Sequence, residues 1–336
     1  MNRTKEFTEI KNSLSSFSPS STENTIIVNE DSLNALKLIP DHSIGLILTA
    51  PPYHSTKKKN ITNDTSFEKD IDYLEWMKLF YKEWKRILRP NGSLIMFCSS
   101  AMAARLEVLL SEDFNILSTI VWTKPNEPGF DGWKQKMKKE SLRQWYAHSE
   151  RVIFAEPAFE GNLGRSYFAN FLRQKRKEAG MSAHLLAELT GEYGKVNHGG
   201  SVSNWETGRN IPSREQYEKI SKALIDTNKI NMMPDYEDVI RPFSVNSTVE
   251  YTDIWTYPSV RPYAGKHPAE KPLEMLIQAI KATTYEGDIV LDCFAGSGNT
   301  GIAAKQTNRK SILIEIEETW VSSIKEKLIP TNTLFD

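Results

Sequence analysis

The sequence predicts an α/β protein with a mostly parallel sheet and an α-helical insertion. Three observations carry this prediction. Residues Thr25 to Val28 form a short β-branched run, followed by an acidic turn, leucines at helical spacing and a second apolar run, Ile44 to Leu48. That order is the pattern of a β-α-β unit. A similar pattern closes the chain: Gly287 to Asp292, a glycine-bearing loop, a helix start at Asn299 and the apolar run Ser311 to Ile316. Between them, residues 165–225 show helix starts and stops without strand-like alternation.

Composition bounds the function. A chain of 336 residues holds one large α/β domain with an insertion, or two domains, and 39% apolar residues with eight tryptophans supply a core. The net charge of −1 creates no molecule-wide attraction for nucleic acid, so any such surface must be local. Cys98 and Cys293 lie in apolar stretches and are too few for a disulfide framework or a zinc site. No apolar run has the length of a membrane span and the N-terminus lacks a signal-peptide core, so a cytoplasmic location is expected.

Residues 1–24 are polar and serine-rich, which predicts a flexible leader. Asp31 closes the turn after the first strand and is a candidate N-cap for the helix from Ser32. The second strand ends in Thr49-Ala50-Pro51-Pro52-Tyr53. Two prolines cannot continue a ladder, so the chain must leave the sheet there. Pro52 holds Pro51 extended, and stiff backbone aims the carbonyls while Tyr53 stands at the sheet's mouth. This turn suits a flat, amino-bearing ring stacked on Tyr53, its amino group donating to the Pro51 carbonyl.

A long polar loop follows to Asp70, and its Lys57, Lys58 and Lys59 are candidate phosphate contacts; a solvated charge run is the alternative. Tyr73 to Leu88 reads as an amphipathic helix stopped by Pro90-Asn91-Gly92. A buried strand (93–98), a helix (101–110) and another strand (116–122) come next. Residues 128–148 interleave Lys134, Lys138, Lys139 and Arg143 with Trp133, Trp145 and Tyr146, a mixture that suits phosphate contact and base stacking. The alternative is a solvated lysine-rich helix. Glu150 to Ala155 then returns as a strand.

In the insertion, Ser182 precedes a helix over 183–189 and Ser213 precedes one over 214–224. With Val202-Ser203-Asn204-Trp205-Glu206-Thr207-Gly208-Arg209 between them, the stretch resembles the helix-turn-helix of phage-repressor-like regulators. The resemblance implies DNA contact by Ser201, Ser203, Asn204 and Arg209, with Trp205 in the core and Glu206 structural. The link from Gly191 to Gly200 is longer than in those regulators, and a spacer without DNA contact is the alternative.

Near the C-terminus, Asp292-Cys293-Phe294-Ala295-Gly296-Ser297-Gly298-Asn299-Thr300 is a candidate ligand loop. Gly296 and Gly298 permit close backbone approach, and the helix starting at Asn299 offers free N–H groups to a carboxylate. Such loops also bind dinucleotides, but the third glycine of that fingerprint is missing. Glu315 ends the next strand, where a carboxylate can accept two hydroxyl donors at once.

The Pro-Pro-Tyr turn followed far downstream by this loop resembles the β-group of DNA amino-methyltransferases. That resemblance implies a seven-stranded, circularly permuted sheet using S-adenosyl-L-methionine (SAM). It implies a body over 25–125 and 255–330, and a target-recognition region over 126–254 that includes 165–225. Ala50, Pro51, Pro52 and Tyr53 take the catalytic positions. Asp31, Asp292, Phe294, Ala295, Gly296, Ser297, Gly298, Asn299, Thr300 and Glu315 take cofactor positions. Lys266 to Pro272 is similar to the family's His-Pro-x-x-Lys-Pro stretch, which places Lys271 at the cofactor carboxylate or leaves it an ordinary helix-start lysine. Double-stranded DNA is the implied partner, its target base flipped into the pocket. A homodimer and a cognate restriction endonuclease are further implied partners.

Ala50 is the departure, because the family carries a polar side chain there. Asp usually accompanies adenine-N6 transfer and Ser cytosine-N4 transfer; the surrounding residues resemble the adenine enzymes more. Without that acceptor the chain is expected to be impaired as written. Ala50 is then either an engineered replacement of Asp or the mark of an inactive relative kept as a DNA-binding regulator. A methyltransferase for RNA or a small molecule, and an unrelated nucleotide-binding enzyme, are the remaining rivals.

Overall fold

The computed structural model describes residues 3–54, 67–125, 143, 145, 148–158, 166–192, 200–245 and 251–330. These form two compact units, one over Pro157–Pro242 and one from the flanking parts of the chain.

The larger unit begins with helix α1 (Arg3–Ser13) and strands β1 (Ser20–Ser21) and β2 (Thr25–Asn29). Helix α2 (Ser32–Leu36), β3 (Ile44–Thr49), α3 (Asp70–Ile87), β4 (Leu88–Ser99), α4 (Ala103–Leu110), β5 (Phe114–Thr123) and β6 (Ser149–Pro157) follow. After the smaller unit come β7 (Ile254–Thr256), then a helix over Leu273–Thr283, β8 (Ile289–Asp292), a helix over Asn299–Gln306, β9 (Lys310–Glu315) and a helix over Glu318–Leu328. In chain order the smaller unit supplies α5 (Tyr167–Glu178), α6 (Ala183–Thr190), α7 (Gly200–Glu206), α8 (Arg214–Ile225) and α9 (Tyr236–Val239), so the last three helices are α10, α11 and α12.

The strands form one sheet in the order β1-β2-β9-β8-β3-β4-β6-β5-β7. The pairs β2–β9, β9–β8, β8–β3, β3–β4 and β5–β7 are parallel, and β1–β2 and β4–β6 are antiparallel. The sheet therefore has nine strands among the described residues, against the seven implied by resemblance. The additions are the edge strands β1 and β7, of two and three residues. Neither is long enough to show alternation in sequence.

Both faces of the sheet are covered, which explains the unbroken apolar runs of its central strands. Ile44 and Ile47 of β3, with Leu94 and Met96 of β4, pack under α1, α2, α3 and α4. Leu46, Leu48, Ile95 and Phe97 face the other way, against Met275, Leu276 and Ile280 of α10 and Ala303 of α11. Pro90 lies inside β4 without breaking it. Ile44 pairs with Leu88 and Leu46 with Ser93, so Pro90 falls in a bulge that needs no ladder N–H from it.

The N-terminal segment corrects the expectation of a flexible leader. Residues 3–13 are helical, and Phe7, Ile10 and Leu14 are buried in the main core. These apolar residues recur at helical spacing among polar and charged neighbours, so one narrow face of the helix is buried and the rest is solvated. A buried ion network fastens the helix: Arg89 donates to Asp288 (2.8 Å) and Glu6 (2.5 Å), and Arg3 donates to Asp288 (3.0 Å). Ile10→Ala should cost about 2 kcal/mol, the low end for a buried aliphatic because a terminal helix can settle into the space. A shift of the urea midpoint with an unchanged slope checks this; no shift would mean that the helix does not contribute to the core.

The smaller unit has its own core of Phe168, Leu172, Leu186, Val202, Trp205, Tyr217, Ile220 and Leu224. Ser166, Ser182 and Ser213 cap α5, α6 and α8, and Ser213 with Gln216 forms a capping box. Trp205 is buried, and Glu206 pairs with Arg176.

Candidate active site

In open α/β sheets, ligands bind beyond the carboxyl ends of the strands, where neighbouring strands send their connections in opposite directions. Here that point lies between β3 and β8. The chain leaves β3 through α3 to β4 on one side, and leaves β8 through α11 to β9 on the other. Ala50 to Tyr53 and Cys293 to Gly298 therefore emerge from adjacent parallel strands.

Asp292 joins the two segments. Its Oδ1 accepts from Thr49 Oγ1 (2.8 Å) and from the Phe294 N–H (3.1 Å), and its Oδ2 accepts from Thr300 Oγ1 (2.7 Å). Burial pushes this carboxyl above its usual range, against the opposing effect of those donors. Asp292 thus acts here as an internal tie between the Pro-Pro-Tyr turn, the loop and α11.

The loop is shaped by its glycines. Gly296 has φ +48°, and a Cβ there would meet the His267 ring at 2.9 Å; Gly298 has φ +78°, and a Cβ would meet Ile324 at 2.9 Å. Any side chain would strain the backbone and displace a neighbour. Ala295 is buried and its N–H donates to the Ile314 carbonyl (3.0 Å). The Ser297 carbonyl accepts from Lys327 (2.8 Å). Phe294 packs on Trp76 and Phe80, with ring centroids 5.9 and 5.1 Å apart.

Gly298 caps α11 without a side-chain acceptor, so the first N–H groups of that helix are free of side-chain caps. Glu315 stands opposite: its Oε2 accepts from the Gly296 N–H (2.8 Å) and its Oε1 from the Glu317 N–H (2.9 Å). Burial raises this carboxyl above its ordinary value, more than those N–H groups lower it. A helix N-terminus and a carboxylate at a strand end fit a ligand with an anionic group and vicinal hydroxyls.

Tyr53 enters a second cluster. Its hydroxyl donates to Glu150 Oε2 (2.7 Å), and Lys271 Nζ donates to both the Tyr53 hydroxyl and Glu150 Oε2, each at 2.9 Å. Lys124 Nζ donates to Glu150 Oε1 (2.5 Å). Lys271 also lies near the rings of Phe97 and Trp122, with centroids at 5.3 and 5.4 Å. Burial alone would raise the Glu150 carboxyl, but Lys271 and Lys124 outweigh it and hold it down to about 2. Burial pushes the Tyr53 phenol well up, with Glu150 adding to the shift, so it stays neutral. Beneath the turn, the Tyr73 hydroxyl donates to the Pro52 carbonyl (3.1 Å), and His54 stacks on Tyr73.

The sequence-predicted residues fall into distinct groups. Pro51 is buried and Ala50 is half-buried beside Tyr53 against the apolar face. Asp31 is engaged as the α2 N-cap, accepting from the Leu33 (3.0 Å) and Asn34 (3.2 Å) N–H groups. Lys271 turns its ammonium to Tyr53 and Glu150, while its carbonyl accepts from Asn299 Nδ2 (2.9 Å). Lys57, Lys58, Lys59, Lys134, Lys138 and Lys139 lie outside the described residues, and Arg143 is exposed. In the smaller unit, Ser203 and Arg209 are exposed, Asn204 is half-buried, and Ser201 donates to Glu192 (3.3 Å).

Sequence reasoning missed Glu150 and Lys124. Glu150 is one of three charges in β6 and Lys124 directly follows β5, so no local pattern singles either out. Both cysteines are buried free thiols; the Cys293 thiol lies 3.6 Å from the Thr49 hydroxyl, and burial pushes Cys98 up to about 12.

A family model described as DNA methylase (N6_N4_Mtase) matches residues 44–326. The DNA adenine methyltransferase YhdJ of Escherichia coli (strain K12) is 25% identical over 299 residues, covering 88% of this chain and 79% of its own length. Among solved structures, the cytosine-N4-specific PvuII DNA methyltransferase superposes with a TM-score of 0.55 at 17% identity, covering 93% of this chain and 89% of its own. The M1.HpyAVI–SAM complex gives 0.51 at 19% identity, covering 91% and 100%. These structural likenesses establish the shared fold.

Proposed function

This chain belongs to the N6/N4 family of DNA methylases, and from that premise we propose that it transfers a methyl group from SAM to the N6 amino group of adenine in duplex DNA. The observation that carries the reading is the Thr49–Asp292 bond, which joins the Pro-Pro-Tyr turn to the glycine loop at neighbouring strand ends. SAM is the cofactor, and when bound it supplies an electrophilic methyl on a sulfonium. Glu315 would hold its ribose hydroxyls, and the N-terminus of α11 its carboxylate. Asp31, which caps α2 through Oδ1, would stand beside the adenine, and Asp292 would hold the loop that carries the cofactor.

The chain's own residues position the acceptor. A base flipped from the duplex would stack on Tyr53, and the Pro51 carbonyl would accept one amino hydrogen. Position 50 would accept the other, and Ala50 lacks the atom to do so. The chain as written is therefore slow. Thr49 before the motif and the adenine-specific relative support adenine; the cytosine-N4 fold neighbour keeps cytosine-N4 transfer as the alternative.

The smaller unit would read DNA as a helix-turn-helix, α7 presenting Ser201, Ser203 and Asn204, with Arg209 on phosphate. The burial of Val202 and Trp205, which leaves Ser203 exposed and Asn204 half-buried, supports this. Lys57, Lys58, Lys59, Lys134, Lys138, Lys139 and Arg143 would add phosphate contacts. A dimer and a paired restriction enzyme stay within the proposal. Ala50 also favours a second reading, a DNA-binding regulator on an inactive methylase body.

Equilibrium dialysis with labelled SAM tests the cofactor half. Glu315→Ala should weaken binding tenfold to a hundredfold, on the order of a lost hydrogen bond to a charged group. Because burial raises the Glu315 carboxyl, affinity should fall with decreasing pH already above the ordinary carboxylate range, and Glu315→Gln should flatten that dependence. SAM binding indifferent to Glu315 would refute the assignment.

A further inference from the structure

Tyr53 is held at its far end as well as at its backbone. Its phenolic oxygen donates to Glu150 and accepts from Lys271, and Lys124 holds the other oxygen of Glu150. A ring tethered through its oxygen cannot swing about its Cα–Cβ bond without breaking two hydrogen bonds, one to a carboxylate and one to an ammonium. Lys271 is in turn fixed at its carbonyl by Asn299, the first residue of α11. The Asn299 amide also donates to Glu270 (3.1 Å). The path from the cofactor helix to the Tyr53 ring is thus a short run of direct contacts.

We propose that Lys271 and Glu150 are positioning residues that fix the Tyr53 ring as a platform for the target base and register it to the cofactor loop. The inference rests on the reading of Tyr53 as the surface on which the flipped base stacks. It assigns Lys271 a role toward the base platform, separate from the cofactor carboxylate. Glu150 orients Lys271 and Tyr53 together, because one of its oxygens accepts from both. Misplacement of a reacting group by about 1 Å can cost roughly a hundredfold in rate, so loss of the tether should appear in turnover.

The test uses the full chain in its Ala50→Asp form, with SAM and mixed bacterial genomic DNA. Lys271→Met should lower kcat tenfold to a hundredfold while the Kd for SAM stays within about twofold. Lys271→Arg should recover most of the rate, since a guanidinium can donate to both oxygens. Tyr53→Phe should lower kcat similarly, and combining it with Lys271→Met should add little, because both break one unit. A loss of SAM affinity that matches the loss of rate would overturn the proposal, as would additive effects of Lys271→Met and Tyr53→Phe. If the Ala50→Asp form makes no methylated DNA, the functional reading fails, and a crystal structure of Lys271→Met in the unaltered background decides the tether by itself. Tyr53 displaced in that structure supports the tether, and Tyr53 in place overturns it.

Discussion

Replacing Ala50 with aspartate is expected to raise methyl transfer to DNA about a hundredfold, the magnitude typical of one preorganised transition-state hydrogen bond. Position 50 follows Thr49, which is buried and tied to Asp292, so the backbone there is already set by the glycine loop. Ala50 is only half-buried beside Tyr53, which leaves room for a larger polar group. The amino nitrogen of a flat base is a poor nucleophile while its lone pair is conjugated with the ring. Two acceptors, the Pro51 carbonyl and a carboxylate at position 50, would draw its hydrogens out of plane and turn the lone pair toward the methyl. With Ala50 only the backbone acceptor is present. The parent, Ala50→Asp and Ala50→Ser should each be incubated with labelled SAM and genomic DNA, and the nucleosides identified by mass spectrometry. N6-methyladenine from the Asp form is the expected product. N4-methylcytosine from the Ser form would move the target to cytosine. No product from any form, with DNA binding retained, would leave the regulator reading.

Glu150→Gln is expected to destabilise the protein by about 3 kcal/mol at neutral pH. The Glu150 carboxyl is lowered from 4.5 to about 2 in the fold, and each pH unit of such a shift corresponds to about 1.4 kcal/mol. A depressed carboxyl contributes stability that is full above its unfolded value and lost as pH falls through its folded one. The gap between parent and Glu150→Gln should therefore be constant from pH 7 to about 5, narrow below 4.5 and close near 2. Glutamine keeps the shape and one acceptor oxygen, so the loss reports the charge, which leaves Lys271 and Lys124 without their counter-ion. Urea unfolding at several pH values measures the gap. A gap independent of pH would place the effect in packing and refute the electrostatic account.

Local backbone chemistry makes much of the molecule legible in the sequence. The runs at 25–29, 44–49, 289–292 and 310–315 are strands because each is apolar on both faces and ends at a turn signal. Their place in a parallel sheet follows from the helices between them. The Pro-Pro turn must leave the sheet, and Gly296 and Gly298 occupy the left-handed region that favours glycine. Helix α1 is not legible in the same way. The apolar spacing at Phe7, Ile10 and Leu14 is outweighed by a polar composition, and the helix depends on Arg89 and Asp288 far along the chain.

Most of the strands and helices, and where the chain turns sharply, are written in neighbouring residues, and the amino-acid order suffices to read them. What each charged side chain faces is settled only by folding. Tyr53, Lys124, Glu150 and Lys271 meet because the strand order brings four distant segments together, and no periodicity records that meeting. The same is true of Asp292 and Lys271: their motifs name them as cofactor residues, yet the fold engages one with Thr49 and Thr300 and the other with Tyr53 and Glu150. A buried charge must find its partner within the folded core, and the identity of that partner is a property of the packing.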